Sequence, residues 1–122
     1  MAEKNVLGGE LRACSYAPLT GYFRDGCCAT HDQDGVVHLV CVQVTDLFLE
    51  FSVAKGNDLV TPRPEMRFRG LKHGDRWCLH VLRWVEAYKA GMAPPVVLES
   101  THENVLKYVP IEALKGHALD LH

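Results

Sequence analysis

Apolar positions along this chain change their period several times, and each change marks an element. Val36–Val44 (VVHLVCVQV) is β-branched through most of its length with few polar interruptions, which predicts a central strand buried on both faces. Thr45 can cap a helix that follows at once, Asp46 suits the positive end of its dipole, and Leu47, Phe48 and Phe51 share a face before Lys55-Gly56 closes it. Gly56–Gly74 (GNDLVTPRPEMRFRGLKHG) then follows neither period. Helical spacing returns with Trp77, Val81, Trp84 and Tyr88 at i, i+4, i+7 and i+11, widened by Leu82 and Val85. This predicts a central helix from Asp75 as N-cap to Ala90, with Gly91 as its stop. Its other face carries a basic stripe of Arg76, His80 and Arg83.

Weaker signals flank this centre. Asp25-Gly26 between Tyr22-Phe23 and Cys27-Cys28 reads as a two-residue hairpin. Pro94-Pro95 introduces a short strand, Val96–Glu99, and Ser100-Thr101-His102-Glu103 has the spacing of a capping box. The helix it opens is interrupted by Pro110, and a last one runs Ile111–Leu119. The expected class is α+β: a small mixed sheet of about three to four strands under a single layer of three to four helices. An α/β arrangement follows instead if the strands at Val36 and Val96 are parallel neighbours. No repeat or linker divides the chain, so residues 1–122 are expected to be one domain.

Composition narrows the function classes. A chain of 122 residues, 48% hydrophobic and 23% charged, can bury a core without metal support. It has no apolar run of membrane-spanning length, and Met1–Arg12 lacks a signal peptide's apolar centre, so a cytoplasmic location and no membrane partner are expected. A net charge of −2 gives no general attraction to nucleic acid. The odd count of five cysteines (Cys14, Cys27, Cys28, Cys41, Cys78) argues for reduced thiols packed as small apolar groups. Cys78 falls in the first turn of the expected central helix, where a thiolate would be favoured, but turned toward the core; it should react slowly. Cys27, Cys28, His31, His38 and Cys41 lack zinc spacing, and His38 and Cys41 on one strand face opposite sides unless a bulge intervenes. No metal site is expected, and no cofactor is identified.

The Gly56–Gly74 segment carries the candidate chemistry. Pro62 and Pro64 hold Thr61–Glu65 extended, while Leu59, Val60, Met66, Phe68 and Leu71 anchor the segment, giving a rigid loop that presents Asn57, Asp58, Arg63 and Glu65. Arg63, Arg67, Arg69 and Arg76 suit carboxylate or phosphate, although the interspersed Asp58, Glu65 and Asp75 account for at least half of them as ion pairs. Asp46 and Glu50 read as a solvated acidic face. At the strand-to-helix junction, His102 should be neutral and available, and Glu99 lacks a capping role.

The strings TGYFRDGCC (20–28), GNDLVTPRPE (56–65), GLKHGDRWCL (70–79) and APPVVLESTHE (93–103) together resemble a family of small uncharacterised bacterial proteins known as a domain of unknown function. The resemblance covers nearly the whole chain and implies domain extent, not an activity. Relatives usually carry proline where this chain has His73 and cysteine where it has His80. The residues thus point to a cytosolic domain or enzyme that binds a small anionic metabolite. Asn57, Arg63 and Arg76 would hold the ligand, and His102, Glu99, Asp58 and Glu65 would handle protons. The competing expectation is a non-catalytic interaction module that docks through the Gly56–Gly74 loop and Phe68.

Overall fold

A computed structural model describes residues 3–120. Its centre is a two-stranded antiparallel sheet, β1 (His38–Gln43) and β2 (Arg76–His80), with α1 (Asp46–Ala54) and the long loop between them. β1 forms where the β-branched run predicted it. Leu39, Val40, Cys41 and Val42 are all buried because chain packs against both faces. A register shift between His38 and Val40 sets the pairing to His38↔His80, Val40↔Leu79 and Cys41↔Cys78. The fold is a mixture of helix and strand compatible with α+β, with fewer strands than expected. Val96, read as part of a strand, makes only single bridges, antiparallel to Val42 and parallel to Ala118. The antiparallel bridge also removes the α/β alternative.

α1 begins at the Thr45 cap, whose hydroxyl accepts from the Phe48 N–H at 3.1 Å, and ends at Lys55. Its buried face is Phe48, Leu49 and Ser52, whereas Leu47 points outward at 65% exposure.

The expected helix from Asp75 is corrected more substantially. Residues 76–80 are β2, and the helix α2 runs only Val81–Lys89 with His80 as N-cap. Trp77, Cys78 and Leu79 are consecutive and buried, so this strand lacks the alternation that would distinguish it from a helix turn. Asp75 closes the loop instead, accepting from the Lys72 N–H at 2.8 Å and pairing with Arg69 at 3.1 Å. α2 buries Val81, Trp84 and Ala87 against β1, β2 and α1. The Trp84 indole N–H donates to the Pro94 carbonyl at 3.2 Å, which satisfies its one polar atom inside the core.

Other expected elements shrink. The Asp25-Gly26 segment is a set of turns rather than a hairpin, the Gly26 N–H donating to Thr20 O at 2.9 Å. Leu98–Ser100 and Glu103–Lys107 are 3₁₀ turns, the second capped by His102 rather than Ser100. α3 is confined to Ile111–Lys115.

The long loop is ordered, but it is not extended through Glu65: Pro64–Met66 is a 3₁₀ turn enclosed by the Arg63↔Phe68 bridge. Leu59, Phe68 and Leu71 pack against the core, while Val60 and Met66 face outward. Gly70 makes the closure feasible. Its φ is +82°, and a Cβ there would run into the Val60 carbonyl.

The expectation of five reduced cysteines is also corrected. Cys14–Cys41 and Cys28–Cys78 are disulfides with Cα separations of 5.7 and 5.3 Å, leaving Cys27 free. Because Cys41 and Cys78 are register partners, their sulfurs project from the same face of the sheet, and the two bridges lie side by side.

Candidate functional site

The residues expected to form one site are spread over the molecule. Arg76 pairs with Gln43 at one end of β1, whereas the His102 N–H donates to Leu39 O near the other end. Four residues of strand, about 13 Å, separate those attachments. Arg76, Arg63 and Glu65 are exposed, and Arg63 is bonded through its backbone to Phe68 within its own loop. Asp58 organises that loop locally. Its carboxylate accepts from the N–H groups of Val60 and Thr61, both at 3.0 Å, and from the Thr61 hydroxyl. Those bonds, the Thr61 hydroxyl first, hold its pKa below the usual aspartate value. Glu99 is exposed, and among the described residues only its backbone is engaged, the carbonyl accepting from the Arg12 N–H at 2.9 Å. Of the expected ligand-binding set, Asn57 lines a cavity with other candidate groups.

That cavity has a volume of about 510 Å³ and follows the outer edge of β2. Trp77, Cys78, Leu79 and His80 form its floor; Gly21, Tyr22 and Arg24 come from the first turn-rich segment, Asn57 and Leu59 from the loop, Arg83 from α2, and His38 from β1. The size suits a small molecule. Gly21 lets the Tyr22–Arg24 turn close over the strand: its φ is +101°, and a Cβ would meet the Cys27 carbonyl. Arg24 itself holds φ +55°, an uncommon left-handed geometry for a non-glycine residue. Its guanidinium lies 5.1 Å from the centroid of Trp77 and donates to Gly21 O at 2.9 Å.

The register shift in β1 brings two imidazoles together here. His38 faces His80 with ring centroids 5.3 Å apart, and Tyr22 stacks on His38 at 6.0 Å. It supplies the bulge that the sequence pattern required for His38 and Cys41 to share a face. Burial lowers the pKa of both histidines, reinforced by His80 and Arg24 at His38 and by Arg83 at His80. The His80 Nδ1 accepts from the Leu82 N–H at 3.1 Å, so the neutral ring carries its proton on Nε2. Nδ1 of His38 is buried and has no hydrogen-bond partner among the described residues. Among the described residues, no carboxylate side chain lines this cavity.

His102 sits in a different kind of place. It is 4% exposed, its Nδ1 accepts from the Asn104 N–H at 3.0 Å, and its Nε2 lies 2.9 Å from the Glu3 carboxylate. Glu3 also accepts from the Thr30 N–H at 2.8 Å, the Thr30 hydroxyl at 2.6 Å and the His31 N–H at 3.2 Å. Burial alone would raise the Glu3 pKa, but these donors, the Thr30 hydroxyl foremost, outweigh it and hold the carboxyl at about 2. His31 makes a second acidic contact, 2.6 Å from Asp25. This cluster ties residue 3 to the segments at residues 30 and 102, and Glu3, Thr30 and His102 line a second cavity of about 580 Å³.

Sequence reasoning missed the Tyr22, Arg24, Trp77 and His38 grouping. His80 and Arg83 were visible as neighbours on a basic stripe, and Tyr22 and Arg24 lay within a family-like string, but the contact among these segments is tertiary.

A family model described as "Uncharacterized protein conserved in bacteria (DUF2237)" matches residues 4–118, and the chain belongs to that family. No curated protein matches it. Among the described residues no helix is long and apolar enough to cross a membrane.

Proposed function

For this member of the family, we propose that the chain binds a small organic anion in the cavity along β2. One observation carries the reading: Arg24 and Arg83 flank two imidazoles and an indole in a cleft that, among the described residues, no acidic side chain lines. Among the described residues, no carboxylate lies within ion-pair distance of Arg24, so its charge is not neutralised internally. Arg83 has Glu86 at 3.3 Å, outside the cavity wall. Charge-assisted hydrogen bonds from such groups contribute on the order of 1.5–3 kcal/mol each. His80 offers a further donor through Nε2–H, while Trp77 and Tyr22 supply flat apolar surface for the body of the ligand.

The ligand class is therefore a carboxylate or phosphate on an aromatic or otherwise flat body. Phe68, the anchor of the interaction-module alternative, is half-buried and packs on Trp77 with centroids 5.3 Å apart, which favours the binding reading. Thermal-shift titration with acetate, benzoate, inorganic phosphate and phenyl phosphate tests the reading. The aryl anions should raise Tm more than their small counterparts, and Arg24→Gly should abolish the gain. No stabilisation by any anion, or equal stabilisation of the variant, would overturn it.

A further inference from the structure

We propose that Cys14, Cys28, Cys41 and Cys78 form, in the reduced protein, a tetrathiolate site for a soft divalent ion of the zinc class. The sulfurs of Cys14, Cys28 and Cys78 lie within 4.8 Å of one another although they belong to two different bridges, and Cys41 is bonded to Cys14. The two disulfides are thus one knot of four sulfurs, fed by four separate segments. A tetrahedral centre with metal–sulfur bonds of about 2.3 Å has its sulfurs about 3.8 Å apart. Converting the knot to that shape requires the bonded pairs to part, the sulfurs of Cys14, Cys28 and Cys78 to close by up to about 1 Å, and the Cys41 sulfur, which lies outside that group, to swing in further.

The backbone that carries the ligands is held independently of the sulfurs. The Cys41 N–H donates to the Thr101 hydroxyl at 3.1 Å and the Cys78 N–H to the Thr20 hydroxyl at 2.8 Å, both buried. Breaking the bridges therefore leaves those two positions fixed. Charge then selects among the available states. All four cysteines are 6% exposed or less, with the apolar Val97 packed against them, so uncompensated thiolates there would be strongly disfavoured. The knot is stable as two neutral disulfides or as thiolates neutralised by a cation. Cys78 also lines the β2 cavity, which gives an ion a route in. Cys27 is the free cysteine and lies outside the group of neighbouring sulfurs.

The conversion balances simply. Each bridge takes two electrons and two protons from a dithiol, which closes to its own disulfide, and the ion then displaces the four thiol protons to solvent.

The test is a Co²⁺ titration of the full chain after reduction with a phosphine and anaerobic desalting, with oxidised protein alongside. The expected result is one Co²⁺ per reduced chain, with the intense thiolate charge-transfer and tetrahedral visible bands of a four-sulfur site. Zn²⁺ should displace it, and the oxidised protein should not bind. Cys27→Ser should leave the titration unchanged, whereas Cys14→Ser and Cys41→Ser should each weaken binding by more than about 100-fold, beyond the effect of losing an outer-shell partner. If reduction unfolds the chain, recovery of native circular dichroism on adding Zn²⁺ supports the proposal. A reduced protein that binds no cobalt, folded or unfolded, would overturn it, as would binding that survives Cys14→Ser and Cys41→Ser or depends on Cys27.

Discussion

His80 and His102 do the same work for the backbone and opposite work for the molecule. Each caps a helical segment by accepting through Nδ1 from the N–H two residues on, at 3.1 and 3.0 Å. Each cap fixes the tautomer of the neutral ring, leaving Nε2–H as a donor. At His102 that donor meets the Glu3 carboxylate at 2.9 Å, in a cluster where Thr30 and the His31 backbone complete the coordination of the same acid. At His80 it meets a cleft shared with His38, Arg24 and Arg83 and, among the described residues, lined by no carboxylate side chain. Polar groups that answer one another stabilise a fold; the same groups left facing a cavity are available to a ligand. The difference lies in what faces the ring: the Glu3 carboxylate at His102, and a cleft carrying His38, Arg24 and Arg83 at His80.

Breaking the satisfied side should produce the largest effect. Glu3→Ala is expected to destabilise the protein by on the order of 3 kcal/mol in urea unfolding, with anion binding at the cavity unchanged. Its pKa, held at about 2 against an ordinary 4.5, also sets a pH window. This stabilisation is fully present above the unfolded value and is lost as pH falls from about 4.5 toward 2, so acid unfolding of the wild type should track it and that of the variant should not. Breaking the other side should move affinity instead. Arg24→Gly removes the guanidinium at a residue whose φ of +55° glycine adopts freely, and should weaken aryl-anion binding roughly 10- to 100-fold with little change in unfolding.

A smaller effect sharpens the contrast. Both cavity histidines have pKa values lowered below 6.5, and a bound anion favours their protonated forms. Anion affinity should therefore rise a few-fold as pH is lowered through the values of the free folded protein. In the unliganded protein the unfolded chain binds the protons first, so stability should fall over the range below about pH 6.5. His38→Gln with His80→Gln should flatten the affinity profile in calorimetric titration. The smallest effects are expected at Arg63→Ala and Arg76→Ala, each within about 0.5 kcal/mol in stability and without influence on binding, because both side chains are exposed and neither lines the cavity.

The legible parts of the chain were those encoded over short distances. The β-branched run gave β1, Thr45 and Lys55 bounded α1, and the glycines and prolines marked the long loop. The failure at residues 76–80 came from a coincidence of period. Trp77, Val81, Trp84 and Tyr88 repeat like a helix, yet the first belongs to a strand buried on both faces and the rest to α2, with the boundary at His80. The disulfides join residues 27 and 50 positions apart, and no local pattern specifies such partners. For the same reason Asp58, an unexplained acid in sequence, proved to be a turn former, while Arg24 and His38 gained their meaning from neighbours that packing supplied.

Side-chain NMR of the histidine rings during titration with phenyl phosphate tests the account most directly. It predicts that the His38 and His80 signals and the Trp77 indole move together and saturably, while the His102 ring stays still. Movement of His102 in step with the others, or no movement of His38 and His80 at millimolar ligand, would contradict it.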